Sequence, residues 1–257
     1  MTTLVQRLAS ARLNGGTVTV KPAEAPTDIA AAYAIQSEVA SFLGPMSQAW
    51  KVGSTSKASQ AKLGTDQPGS ARVPTRYLFA SDDEVPVFVD HDVWIEGEFA
   101  LRLGADLPPR DAEYGIDEVI AAVDGVAPAI EVVGCRFADG ISKSGRLRVT
   151  ADGGANVALI IGEVISDWYR FDLPSHPVQL MVNGLEAAVG VGANALGGPV
   201  NVMVWLANEQ RSKGGLQRGE IVSTGTCTGL VRAGPGDRLA SVFGPIEAVE
   251  ANLVAPQ

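Results

Sequence analysis

The chain has 257 residues, a formal net charge of -9, 46% hydrophobic and 19% charged residues, which excludes a disordered or fibrous polypeptide. The acidic balance, with no basic cluster to offset it, argues against a binder of the nucleic-acid backbone. Cys135 and Cys227 lack C-x-x-C spacing, so neither a disulfide framework nor a cysteine zinc site is indicated. The opening MTTLVQRLASARLNGG builds no continuous apolar signal region and no apolar run reaches bilayer length, so a cytoplasmic protein without a membrane partner is expected.

In chain order, Leu4, Leu8 and Leu13 sit at helical spacing before the stop signal Asn14-Gly15-Gly16. Thr27-Asp28 reads as an N-cap for a second helix, with Ala32, Ile35, Val39 and Leu43 on one stripe and Gly44-Pro45 beyond it. From Ala49 the pattern changes to a strand AWKVG, a helix within SKASQAKLG, and a loop-rich passage containing Pro68, Pro74 and Pro86. This sets an expected boundary between a smaller region, 1–75, and a larger one, 76–257. VPVFVDHDVWIEGEFALRL, PAIEVVG, NVALIIGEV, VQLMVNG and EIVSTGTC read as strands, EYGIDEVIAAV and VNVMVWLANEQRSKG as helices. Clustered strands with helices set to one side predict an α+β fold.

WIEGEFALRL holds the first chemical signal. Side chains alternate along a strand, so Trp94, Glu96, Glu98 and Ala100 share one face, and the two carboxylates stand roughly 6 to 7 Å apart. Like charges on one face repel unless the face is solvated or a cation lies between them. Glu131 is the one polar side chain of APAIEVVG, and a buried carboxylate needs a partner, for which Arg136 is one candidate. His91 and His176 are too few and scattered for zinc. Carboxylate oxygens suit Mg²⁺ or Mn²⁺.

The segment WKVGSTSKASQAKLGTDQP (50–68) resembles the lysine-containing signature of the 2-hydroxypenta-2,4-dienoate hydratase family, which includes 4-oxalocrotonate decarboxylases, within the fumarylacetoacetate hydrolase superfamily. The chain also carries, in the family's order, AYAIQ (32–36), IEGEFALRLGADL (95–107), PAIEVVGCRF (128–137), ADGGANVALIIG (151–162), VNVMVWLAN (200–208) and GEIVSTGTCTG (219–229). The resemblance implies that Glu96, Glu98 and Glu131 bind one Mg²⁺ or Mn²⁺. It also implies a small N-terminal helical region on a mixed β-roll catalytic domain, and an oligomer, with a related decarboxylase or hydratase as a potential associate. The family's active-site lysine falls on Lys51, a candidate for proton transfer or for stabilising an enolate's charge.

Asp152 is a second catalytic candidate, orienting Lys51 or a water, and Gln67 and Thr228 are candidate substrate contacts. Cys227 reads as packing, and Trp94 and Trp205 as core or interface. Departures from the family pattern fall at Asp152-Gly153-Gly154-Ala155-Asn156, where many members have D-N-x-S-S, at GSARV after Pro68, and at Leu196-Gly197-Gly198-Pro199. The implied reaction is hydration of a 2-hydroxy-2,4-dienoate. The rivals are decarboxylation of a 2-oxo-enedioate, for which Arg72, Arg136 or Lys143 would meet a second carboxylate, hydrolysis of an acylpyruvate carbon-carbon bond, and a non-catalytic partner subunit.

Overall fold

The computed structural model describes residues 2–256. Helix α1 (Leu4–Asn14) starts at a capping box in which Thr3 Oγ1 accepts the Gln6 amide, and stops where Gly15 takes a φ of 79°. Helix α2 (Ile29–Ser41) starts at Asp28, whose carboxylate accepts the Ala31 amide at 2.8 Å. Leu4, Leu8, Val39 and Leu43 pack with Phe137, so the two apolar stripes are what dock these helices on the rest of the chain.

The elements that follow are β1 (Met46–Gly53), α3 (Lys57–Leu63), β2 (Gly69–Pro74), β3 (Leu78–Ala80), β4 (Glu84–Pro86), β5 (Trp94–Leu103), α4 (Ile116–Ala122), β6 (Val123–Val133) and α5 (Ile141–Ala151). After them come β7 (Asn156–Ile161), β8 (Pro177–Val182), β9 (Leu185–Val191), α6 (Pro199–Gln210), β10 (Ile221–Thr226), β11 (Val231–Arg232), β12 (Arg238–Val242) and β13 (Ala248–Val254). The larger sheet runs β2-β1-β10-β5-β6-β7-β3, with β11 also on β5, and is mixed because β1–β10 and β3–β7 are parallel. The smaller sheet runs β4-β13-β12-β8-β9. This is the expected α+β architecture with mixed sheets.

One face of the larger sheet is apolar along β5, β6 and β7. Ile95, Ile130, Val132 and Ile160 meet Leu180, Leu239, Val249 and Leu253 of the smaller sheet, while Phe99 and Leu101 meet α4 and α6 through Val119, Val202 and Leu206. The other face carries Leu159 with Ala49, Ala100, Ala127 and Ala129, and the alanines leave room beside the glutamates. Gly97 separates the two glutamates because a side chain there would collide with the smaller sheet: a Cβ would lie 2.6 Å from Ser241 Oγ.

One reading of the sequence needs correction. VPVFVDHDVWIEGEFALRL is not one strand: a turn at Val89–His91 and a left-handed Asp92 (φ 52°) interrupt it. The turn docks on the end of α1, where Asp90 Oδ2 accepts the Gly16 amide and His91 Nε2 meets the Gly16 carbonyl. Helix α5 lies in a stretch, SKSGRLRVT, that carries no clear apolar period, and Gly145 breaks it at a φ of 65°. β1 and β2, which precede residue 75 in the chain, hydrogen-bond into the larger sheet.

Candidate metal centre and active site

Strand pairing brings the carboxylates together. Glu96 of β5 stands directly opposite Glu131 of β6, and Glu98 opposite Ala129, so the three acids occupy adjacent positions on one sheet face. One oxygen from each lies within 4.8 Å of the other two. Glu98 and Glu131 are fully buried. Burial, and then the Glu131 charge, push Glu96 up to about 7 and hold Glu98 well above the usual carboxylate range.

The hydrogen bonds of the trio are one-sided. Glu98 Oε2 accepts from Ser223 Oγ and from the Gly225 amide at 3.0 Å. Glu131 Oε1 accepts from Asn156 Nδ2 at 2.9 Å and lies 3.2 Å from Lys51 Nζ. Glu98 Oε1 and Glu131 Oε2 are buried with no partner, although an unpaired buried carboxylate oxygen is costly. An oxygen-seeking dication supplies what these atoms lack, so the residues present fit Mg²⁺ or Mn²⁺.

Lys51, from β1, is 3% exposed, and Ala49 on the same strand face belongs to the small-residue cluster, so the lysine projects on the glutamate side. Its ammonium donates to the Gly154 carbonyl at 2.8 Å. Gly53 and Gly154 leave space for it: a Cβ on Gly53 would come within 2.9 Å of Nζ, and one on Gly154 within 3.3 Å. A cavity of about 100 Å³ opens over Lys51 and Glu96, with Leu63, Val133, Ile141 and Val149 among its walls.

Asp152 sits elsewhere. It is 1% exposed and clamped between two guanidiniums: Arg136 Nε at 2.8 Å and Arg12 Nη1 at 3.4 Å. Its carbonyl accepts from both arginines as well, at 3.0 Å from Arg12 and 2.9 Å from Arg136. Arg136 is therefore Asp152's partner, and Glu131 pairs with Lys51 instead. The clamp fixes the start of the loop 152–156, which delivers both the Gly154 carbonyl to Lys51 and the Asn156 amide to Glu131.

Gln67 is exposed and faces a neighbouring hollow with Thr55, Asn194 and Trp205, while its carbonyl accepts from Arg146 at 3.2 Å. Thr228 Oγ1 accepts the Gly97 amide at 3.0 Å, which steadies the strand between the two glutamates. Neither lines the cavity over Lys51. Cys227 is buried, and its carbonyl accepts from Asn194 at 2.7 Å, in keeping with packing. Trp94 packs beside Val133 with the Arg232 guanidinium over its ring, and Trp205 lies against the core of α6. Sequence reasoning passed over Ser223 and Arg146, and noted Asn156 only within a departure from the family pattern. Ser223 and Asn156 carried only the weak signal of a polar residue in or beginning an apolar strand.

Comparison with known proteins follows the same pattern. The family model for the fumarylacetoacetate (FAA) hydrolase C-terminal region matches residues 50–253. Over 210 residues the chain is 32% identical to a 2-keto-4-pentenoate hydratase of Paraburkholderia xenovorans (strain LB400), covering 80% of this chain and 77% of that one. It is 29% identical to a 4-oxalocrotonate decarboxylase of Pseudomonas putida, covering 79% and 76%. The structure of 4-oxalocrotonate decarboxylase from Pseudomonas putida G7, complexed with magnesium and adipate, matches with a TM-score of 0.86 at 25% identity, covering 98% of this chain and 96% of that one.

Proposed function

Since the chain belongs to the fumarylacetoacetate hydrolase C-terminal family, we propose that it is a divalent-metal-dependent hydratase. It adds water to a 2-hydroxy-2,4-dienoate, or its 2-oxo-enoate tautomer, to give a 4-hydroxy-2-oxo acid in aromatic catabolism. The observation that carries this reading is the trio itself, in which two buried carboxylate oxygens have no partner and a lysine stands beside them. The 32% identity to a protein named as a hydratase supports the reaction class.

Mg²⁺ or Mn²⁺ held by Glu96, Glu98 and Glu131 would supply Lewis-acid chemistry toward the carboxylate and C2 oxygen of a 2-oxo acid. The chain's own groups handle protons and position. Ketonisation takes the proton from the C2 hydroxyl and places one on C5, which leaves a C3–C4 double bond conjugated to the C2 carbonyl. Water then gives its oxygen to C4 and a proton to C3, so one H₂O is added overall. Lys51 Nζ lines the cavity and is the group we assign to proton transfer, oriented by the Gly154 carbonyl and by Glu131. Asp152 acts through the 152–156 loop, Gln67 through its carbonyl on Arg146, and Thr228 through Gly97. The apolar walls keep bulk water from the site.

Decarboxylation of a 2-oxo-enedioate is the second reading. The likeness to a 4-oxalocrotonate decarboxylase structure at a TM-score of 0.86 favours it, and the same electron sink serves loss of CO₂. The proposal includes a cytoplasmic setting and assembly as a homo-oligomer, with a related decarboxylase or hydratase as a potential partner. No helix among the described residues is long and apolar enough to cross a membrane. Leu185 and Val189, exposed on edge strand β9, offer an apolar contact surface.

The test follows the ultraviolet absorbance of freshly made 2-hydroxypenta-2,4-dienoate with Mg²⁺ and then with excess chelator, and identifies the product. Metal-dependent conversion to 4-hydroxy-2-oxopentanoate is expected. Release of CO₂ from a 2-oxo-enedioate without any hydration would establish the second reading in its place.

A further inference from the structure

The cavity wall carries a cation that the reaction above leaves unused. Arg146 follows the helix break at Gly145 and lines the same cavity as Lys51 and Glu96. Its guanidinium donates to the carbonyls of Gln67 and Pro68 and to Ser54 Oγ, all of them neutral acceptors, and its buried Nε has no partner. Among the described residues no carboxylate forms an ion pair with it. Four other cations near the site are matched: Arg12 and Arg136 with Asp152, Arg72 with Glu220, and Lys51 with Glu131. This disposes of Arg72 and Arg136 as free cations, and Lys143 is exposed and lies outside the cavity lining.

The placement of Arg146 is built into the chain. A Cβ on Gly69 would stand 2.6 to 2.8 Å from three guanidinium atoms, so glycine at 69 is what admits the side chain. Lys62 of α3 lines the same cavity and likewise forms no ion pair among the described residues. The Glu209 charge reaches Arg146, but that carboxylate is paired with Lys213, so a partly buried guanidinium with neutral acceptors has given up hydration without gaining an ion-pair partner. A carboxylate restores that balance, and the planar fork can meet both of its oxygens at once.

We infer that Arg146, assisted by Lys62, recognises a second carboxylate at the far end of the substrate, which makes 2-oxo or 2-hydroxy dicarboxylates the preferred class over monocarboxylates. The inference rests on the reading that the glutamate trio and Lys51 hold the 2-oxo acid end. It applies equally to hydration and to decarboxylation, and it explains why the apolar walls are flanked by cations rather than closed by another apolar residue.

The test uses two non-reactive ligands of equal chain length, 2-oxoadipate and 2-oxohexanoate, titrated calorimetrically into the Mg²⁺-loaded protein. The wild type should bind 2-oxoadipate at least about tenfold more tightly. In Arg146→Gln that ratio should fall to within about threefold of unity, with partial recovery in Arg146→Lys. Lys62→Gln, an exposed substitution that spares the fold, should lower the ratio by about two- to threefold. Equal affinities in the wild type, or a ratio unchanged in Arg146→Gln, would overturn the assignment of Arg146. Binding of both ligands that ignores removal of Mg²⁺, or no binding of either, would instead overturn the metal-site reading on which the assignment depends.

Discussion

Replacing Asp152 with asparagine removes one negative charge from between two buried guanidiniums while keeping the side chain's size. The variant keeps the backbone carbonyl that accepts from Arg12 and Arg136 and one side-chain acceptor, so the loss is mainly of charge rather than of the hydrogen-bond frame. Breaking a fully buried ion pair costs about 3–5 kcal/mol, and the retained acceptors place this variant at the lower end, about 3 kcal/mol. Against a total of about 5–15 kcal/mol the protein still folds. With a slope of about 3 kcal/mol per M, the urea midpoint should fall by about 1 M. Arg136→Met alone should also destabilise, and the double variant should lose at least about 1 kcal/mol less than the sum of the two singles. Turnover should drop too, since the loop that holds Lys51 through Gly154 hangs from the clamp. A loss under about 1 kcal/mol, or strict additivity, would refute the view that Asp152 is the anchor of this loop.

Other outcomes follow from the same geometry. Lys51→Met should lower kcat by about 10²–10⁴-fold, while Mn²⁺ affinity holds or tightens because a positive charge has left the neighbourhood of Glu131; weaker Mn²⁺ binding would contradict the assigned role. Glu96 is held at about 7 by burial and then by the Glu131 charge, so the metal-free folded state binds more protons than the unfolded chain between about pH 4.5 and 7. Its contribution to metal-free stability is therefore lost as pH rises through that window, and Mg²⁺, which replaces those protons, should raise Tm more at pH 8 than at pH 5. An Mg²⁺ effect that shrinks with rising pH would contradict this. Gly97→Ala places a Cβ 2.6 Å from Ser241 Oγ and 3.1 Å from Val178 Cγ1, and should cost about 1–3 kcal/mol by urea denaturation, whereas a neutral effect would mean the two sheets are not tightly apposed there.

The parts of the site that were legible in the sequence are those governed by strand alternation. Period 2 alone puts Glu96 and Glu98 on one face, and the isolation of Glu131 among apolar residues marks it as a buried acid, but neither rule tells a solvated face from a metal site. The opposition of Glu96 and Glu131 depends on which strands pair and in what register, which no local pattern encodes. Lys51 was reached through resemblance only, since a lone lysine in a strand has no chemical signature of its own. The true partners of Asp152 were hidden because Arg12 is 140 residues away in sequence. Arg146 escaped notice because α5 has no clear apolar stripe and its course is set by Gly145, by the clamp and by packing on α2.

The central claim is that Glu96, Glu98 and Glu131 hold a divalent cation. The most direct measurement is titration of Mn²⁺ into metal-free protein, with free Mn²⁺ followed by electron paramagnetic resonance, for the wild type and for Glu98→Gln. The account predicts one saturable site per chain in the wild type, competed by Mg²⁺, and an affinity weakened by more than about 100-fold in the variant. Identical titrations for the two proteins, or no saturable site in the wild type, would contradict it.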